Sequence, residues 1–356
     1  MNRKIIGLFI LIIFLTGCSG NDNKYHASGK KIDSKKPMSW GHKQTIYVFA
    51  DKNVWKYAEQ PLKQTLERFL FTTENEKYFE VKHVPIDEME QFYKFNNLIF
   101  MADIQSGEKV SSYIKEIMGE QIKEEINADL VGMYPKENVW ANDQFVLFMA
   151  GSSEENLLKL NILQATKTFD LFQDKLYERI NRQIYKYDVF SSNSFSAFPW
   201  ELKIPKNYVL YKKDMENNFI SFLARLRNSP DRYISVYHEN MDEDRVGKEW
   251  IKKTRAEIAW KYYDEDEFKD KDVRVERSKL GKYRCWKLSG RWQNMKHAVG
   301  GAFQSFAIYD EQTKTAFLID NFVYFPEGYK LPGLIELEII SRTLEIKENQ
   351  VVDHNL

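Results

Sequence analysis

Residues Ala302–Tyr309 and Thr315–Phe325 read AFQSFAIY and TAFLIDNFVYF, two runs of aromatic and β-branched residues separated by the polar stretch Asp310–Lys314. This composition, bounded by a turn cluster, predicts two strands joined in an antiparallel hairpin. Upstream, YRCWKLSGRW (Tyr283–Trp292) and VRVER (Val273–Arg277) continue the pattern, giving four strand candidates in a meander. Before them lie an amphipathic helix over Val246–Tyr263 and a further hairpin. The hairpin is NFISFLARLR (Asn218–Arg227), the turn Asn228-Ser-Pro-Asp231 and RYISVYHE (Arg232–Glu239), with WELKIP (Trp200–Pro205) as an extended entry. Pro332-Gly333 opens a last helix to about Ile346, with Leu337, Ile340 and Leu344 on one face. Residues 196–356 are therefore expected to form an α+β domain with a largely antiparallel sheet.

The first half alternates differently. TIYVFA (Thr45–Ala50), YFEVKHV (Tyr78–Val84), NLIFMADI (Asn97–Ile104) and QFVLFMA (Gln144–Ala150) read as strands. Between and after them, helical spacing runs over Val54–Phe71, Ile86–Tyr93 and Val110–Ile126. Ser152-Ser153-Glu154-Glu155 caps a long helix to about Asn181. Residues 44–195 are expected to form an α/β layer domain.

Ahead of both domains, Asn2-Arg3-Lys4 and the apolar run Ile5–Leu15 form a secretory leader too short to span a bilayer as a stable helix. Leu15-Thr16-Gly17-Cys18 matches the bacterial lipobox, which predicts removal of residues 1–17 and lipidation of Cys18. Two or three acyl chains hold a protein stably to a bilayer where a single chain does not. Residues 18–43, rich in Ser, Gly, Asn and Lys, read as a flexible tether. The expected location is the periplasmic face or the cell surface.

Composition narrows the partners. Fifty-two basic and fifty-two acidic residues leave no net charge, so nucleic acid is not an expected partner. The bilayer is reached through the acyl chains, and an envelope protein or a glycan is the expected further partner. With Cys18 lipidated, Cys285, the other of two cysteines, has no disulfide mate, and packing must supply the stability.

No metal and no cofactor are expected. The six histidines show no ligand spacing, and there is no nucleophile elbow, phosphate loop or dinucleotide fingerprint. Cys285 lies between Arg284 and Trp286, where cations lower a thiol pKa, but its alternating context reads as a strand core residue. The acidic run Asp264–Glu267, with Asp270 and Asp272, lacks the glycine of a calcium loop and reads as a solvated linker. The best candidate for ligand or partner contact is Trp286, Arg291, Trp292, His297, Gly300, Gly301 and Phe303. Trp286, Leu288, Gly290 and Trp292 share one strand face, two indoles can stack a sugar or grip an aromatic, and the glycines admit close approach. The competing reading of the same residues is a tryptophan-rich core with a glycine bend.

IPKNYVLYK followed by NFISFLAR, then TRAEIAW, LSGRW, VGGAFQSF, DNFVYFPEGYK and LIELEIISRTL occur in this order across the second half. Together with VWANDQFVLFMAG and the lipobox they resemble the Bacteroidota lipoproteins of the domain-of-unknown-function family 4837. Val299-Gly-Gly-Ala-Phe303 departs from the Met-Gly-Gly-Pro-Phe expected in that family and marks a divergent member. The resemblance implies an envelope lipoprotein and no established activity. The order of elements in the second half also resembles the αβα sandwich of PsbP and Mog-like proteins, which are mostly interaction modules.

Overall fold

The computed structural model describes residues 24–25, 31–70, 72–117 and 132–347. The leader, Cys18 and the part of the predicted Val110–Ile126 helix beyond Ile117 lie outside the described residues. Two compact units are present: one takes the chain up to Arg68 and Lys77–Leu176, the other Phe69–Glu76 and the chain from Tyr177 on.

The first unit holds β1 (Thr45–Ala50), α1 (Lys52–Leu66), β2 (Glu80–His83), β3 (Asn97–Asp103), α2 (Lys109–Ile117), β4 (Gly132–Glu137), β5 (Phe145–Gly151), α3 (Glu154–Leu163) and the start of α4 (Ala165–Ile184). Its sheet runs β2-β1-β3-β5-β4, parallel except for β4. Every residue of β5 is buried, which is why the strand reads as an unbroken apolar run: helices cover both faces of a parallel sheet. Ser153 caps α3 as expected, its Oγ accepting from the Asn156 amide at 3.2 Å. Two expectations shift. α1 stops at Leu66, and Phe69–Leu70 is strand instead. β4 carries Pro135, which hides it from sequence patterning and which only an edge strand tolerates.

The tether reading is corrected between Asp33 and Gly41. The buried Asn142 accepts from the Asp33 amide and donates its side-chain amide to the Asp33 and Lys36 carbonyls. Its backbone pairs with Pro37 and Ser39, so this stretch is strapped to the first unit. One asparagine satisfying backbone groups of a polar segment does what burial of apolar surface does elsewhere.

The second unit contains β6 (Val209–Asp214), β7 (Phe219–Ala224), β8 (Asp231–Asn240), α5 (Lys248–Tyr262), β9 (Val273–Leu280), β10 (Tyr283–Asn294), β11 (Val299–Asp310), β12 (Thr315–Tyr324) and α6 (Leu331–Ser341). The seven strands form one antiparallel sheet, β6-β7-β8-β12-β11-β10-β9. α5 packs on Leu288, Trp292, Phe303, Leu318 and Phe322. α6 meets residues of the opposite parity: Gln304 donates to the Leu334 carbonyl, and Asn321 to Ser341 Oγ. Side chains alternate along a strand, so the two helices cover opposite faces and the unit is an αβα sandwich. α6 ends at Ser341, earlier than predicted, because the Thr343 amide and hydroxyl both turn back to the Ile340 carbonyl. Its N-terminus is capped from a distant part of the chain. The buried Glu76 carboxylate accepts from the Lys330 and Leu331 amides at 2.8 and 2.7 Å, where the helix dipole favours negative charge.

Candidate functional site

The tryptophan strand is β10, and its two ends have different fates. Trp292 is buried, its indole N–H donates to the Val323 carbonyl at 3.3 Å, and its ring meets Phe322 edge-on at 5.6 Å. Gly301 pairs across from it, and a Cβ there would collide with that same carbonyl and lie 2.7 Å from the indole nitrogen. The glycine therefore admits the indole and not a ligand. Phe303 is buried beneath the Arg255 guanidinium, 4.1 Å from its ring centroid. A Cβ on Gly300 would meet the Trp292 carbonyl oxygen at 2.7 Å, again a strand-to-strand approach. Trp292, Gly300, Gly301 and Phe303 serve the sheet and its core.

Arg291 and His297 belong to a clasp that involves the acidic run, and the solvated-linker reading of that run is corrected. Glu267 and Gln293 exchange both backbone hydrogen bonds at 2.9 Å. The Asn294 side-chain amide donates to the Asp264 carbonyl and the Asp266 carboxylate, both at 2.8 Å. His297 Nε2 meets Asp264 Oδ2 at 2.7 Å, and Arg291 meets Asp272 at 2.5 Å. Consecutive left-handed residues, Asp264 and Glu265, turn the chain, and the Asp264, Asp266 and Glu267 carboxylates all meet donors of the Gln293–His297 stretch. The His297 hydrogen bond and Lys296 hold the Asp264 carboxyl below its ordinary range, while burial pushes Asp266 up to about 6 against its bond from Asn294. Among the described residues no three His, Cys, Asp or Glu side chains are placed to share a metal ion.

Under α5 the structure adds a pair that the sequence reading did not single out. Arg255 and Asp320 are both fully buried, with Arg255 Nε 3.5 Å from Asp320 Oδ1, and Ser305 Oγ donates to the same oxygen at 2.6 Å. Burial raises the Asp320 carboxyl, opposed by the Arg255 charge. The available signal was Asp320 itself, a lone acid inside the apolar run Thr315–Phe325. Cys285 is also buried, and burial pushes its thiol up to about 11, against Lys287, which leaves it protonated near neutral pH.

The other end of β10 is open. Beyond the N-terminus of α5 a cleft of about 1010 Å³ is lined by Trp286 and Tyr309, by the cations Arg277, Lys279 and Arg284 on the β9–β10 side, and by the acids Glu243, Asp244 and Glu311. The Arg277 guanidinium lies 3.7 Å from the Trp286 ring centroid, and Lys248 Nζ lies 5.6 Å away. The Trp286 indole N–H is shielded from solvent and has no hydrogen-bond partner among the described residues. Of the seven residues proposed from sequence, Trp286 is the one that lines this cleft.

Residues 191–343 match the model of a domain of unknown function, DUF4837, and residues 39–185 match that of another, DUF8532. No curated protein matches the chain. Among solved structures, a Bacteroides thetaiotaomicron protein is similar at 14% identity over 43% of this chain and 47% of its own, with a TM-score of 0.28. This chain thus spans about half the length of that relative. The Saccharomyces cerevisiae Ran-binding protein Mog1p aligns at 10% identity over 43% and 93% of the two chains, TM-score 0.32. LpqN of Mycobacterium tuberculosis, a protein involved in cell envelope biogenesis, aligns at 11% over 42% and 83%, TM-score 0.25. At these scores none of the three bears on function. The two halves of the chain thus match separate family models, and residues 191–343 match DUF4837, the family to which the ordered motifs of the second half point.

Proposed function

We propose that this protein is an envelope lipoprotein, anchored by acyl chains on Cys18, whose C-terminal domain binds a partner protein in the cleft at Trp286. The observation that carries this reading is the cleft itself, which is large, open and bordered by cations on one side and acids on the other. A surface with both signs facing across a groove favours a peptide segment that carries both, and sign matching sets orientation and encounter rate. The glycan alternative is less well supported at this cleft, because its indole already lies beneath Arg277, and a sugar stacked there would have to displace that cation.

The test is crosslinking in intact cells, purification through a C-terminal tag and mass spectrometry, with Cys18→Ser as the mislocalised control. A stoichiometric envelope protein that is lost in the control is expected. Absence of any reproducible protein partner despite normal anchoring would move the assignment to a glycan. Acyl labelling is expected to vanish in Cys18→Ser, and labelling that persists would refute the anchor.

A further inference from the structure

The seven-stranded sheet of the second unit ends in two free edges of different chemistry. On β9 Arg274 pairs with Glu276 at 2.9 Å, Arg277 lies on Trp286, and Lys279 faces the cleft. On β6 the residues Val209, Leu210 and Tyr211 are 58, 52 and 40% exposed, and exposed Met215 and Leu226 flank its ends. Lys212 and Lys213 follow, resting on the rings of Tyr211 and Phe198, and neither pairs with a carboxylate among the described residues. An edge strand presents unpaired amide and carbonyl groups along its outer side, and exposed apolar residues add burial for whatever pairs there.

We propose that β6 is a strand-addition site for an extended segment of a partner protein in which a short apolar block adjoins two consecutive carboxylates. Backbone pairing along the edge supplies affinity and alternate side chains supply selectivity. Val209 and Leu210 face opposite sides of the sheet, as do Lys212 and Lys213, so an apolar block meets Val209–Tyr211 on both faces and two adjacent acids meet the two lysines. The lysines also exclude the wrong strands. A second copy of β6 would crowd the lysine pairs of both copies into one ribbon, and the chain's own Ser19–Lys43 stretch carries the same sign. The bulge between Leu210 and Lys212 twists the edge between its apolar and basic halves. This site is separate from the cleft, which lies on the β9 side of the sheet.

The test uses the mature chain and a fluorescein-labelled nonapeptide in which a valine and threonine block adjoins two consecutive glutamates, read by anisotropy and by hydrogen exchange. The peptide is expected to bind and to slow exchange of the Val209–Asp214 amides at least tenfold, with β9 unchanged. Peptide N-methylated at alternate residues, which keeps the charges and loses the backbone donors, should bind at least tenfold more weakly. Lys212→Glu/Lys213→Glu, a surface change, should weaken binding of the unmodified peptide similarly. The proposal is overturned if the peptide does not bind, if it binds without protecting β6, or if binding survives both N-methylation and charge reversal. Peptide-free dimerisation that protects β6 would also overturn it, in favour of a second copy.

Discussion

Trp286 and Trp292 occupy the same face of one strand, six residues apart, yet one is core and the other lines a cleft. The strand does not make the difference; its cover does. α5 and the clasp close over the Trp292 end, where the indole finds a carbonyl and Gly301 leaves room for it. Beyond the start of α5 no helix among the described residues covers Trp286 in the same way, and a guanidinium lies on it instead. Periodicity reports which residues share a face, but not how far along that face the covering helix reaches.

The two ends can be driven further apart by mutation. Trp292→Ala should cost about 3–5 kcal/mol, as removal of large buried aromatics does, whereas Trp286→Ala should cost about 1 kcal/mol or less. Equilibrium urea unfolding of the mature chain checks both. The buried pair beneath α5 should behave like the Trp292 end. Asp320→Ala strands Arg255 without compensation and should also cost about 3–5 kcal/mol, while Arg255→Met/Asp320→Leu should recover most of the loss.

The clasp gives this end a pH dependence. The Asp266 carboxyl titrates near 6 in the fold and near its ordinary 3.8 when unfolded. Between those values the folded state holds the extra proton, so stability should fall as pH rises from about 4 to about 6, by on the order of 2 kcal/mol once the roughly 3 kcal/mol of the full shift is reduced for solvent screening at this partly open site. Asp266→Asn should flatten that slope in unfolding curves taken across the range. The smallest effect belongs to the open end: Arg277→Ala should uncover Trp286 and shift its emission to longer wavelength, with stability changed by about 1 kcal/mol or less.

Most of the scaffold was legible in the sequence. The meander from Val273 to Phe325 and the helices at 248–262 and 331–341 follow from alternation, turn residues and an N-terminal proline, all of them local signals. What escaped depends on distant partners. β4 and β6 are edge strands, exposed enough that no face needs to be apolar. The strap at Asp33–Gly41 is held by Asn142, about a hundred residues away, and Glu76 caps α6 from still further along the chain. The acidic run misled because like charges usually mark a solvated face, whereas here each of Asp264, Asp266, Glu267 and Asp272 meets a donor from Arg291–His297. Trp286, Leu288, Gly290 and Trp292 share one strand face, and of these Trp286 is the one that lines the cleft beyond the start of α5.

The central claim is that the open end of β10 is where the partner binds. It is tested most directly by installing a photo-crosslinking amino acid at Arg284, in the cleft, and separately at Lys253, on the exposed side of α5, in cells expressing the lipidated protein. The account predicts a discrete protein adduct on illumination from position 284 and none from 253. Equal labelling at both positions, or labelling from 253 alone, would contradict it.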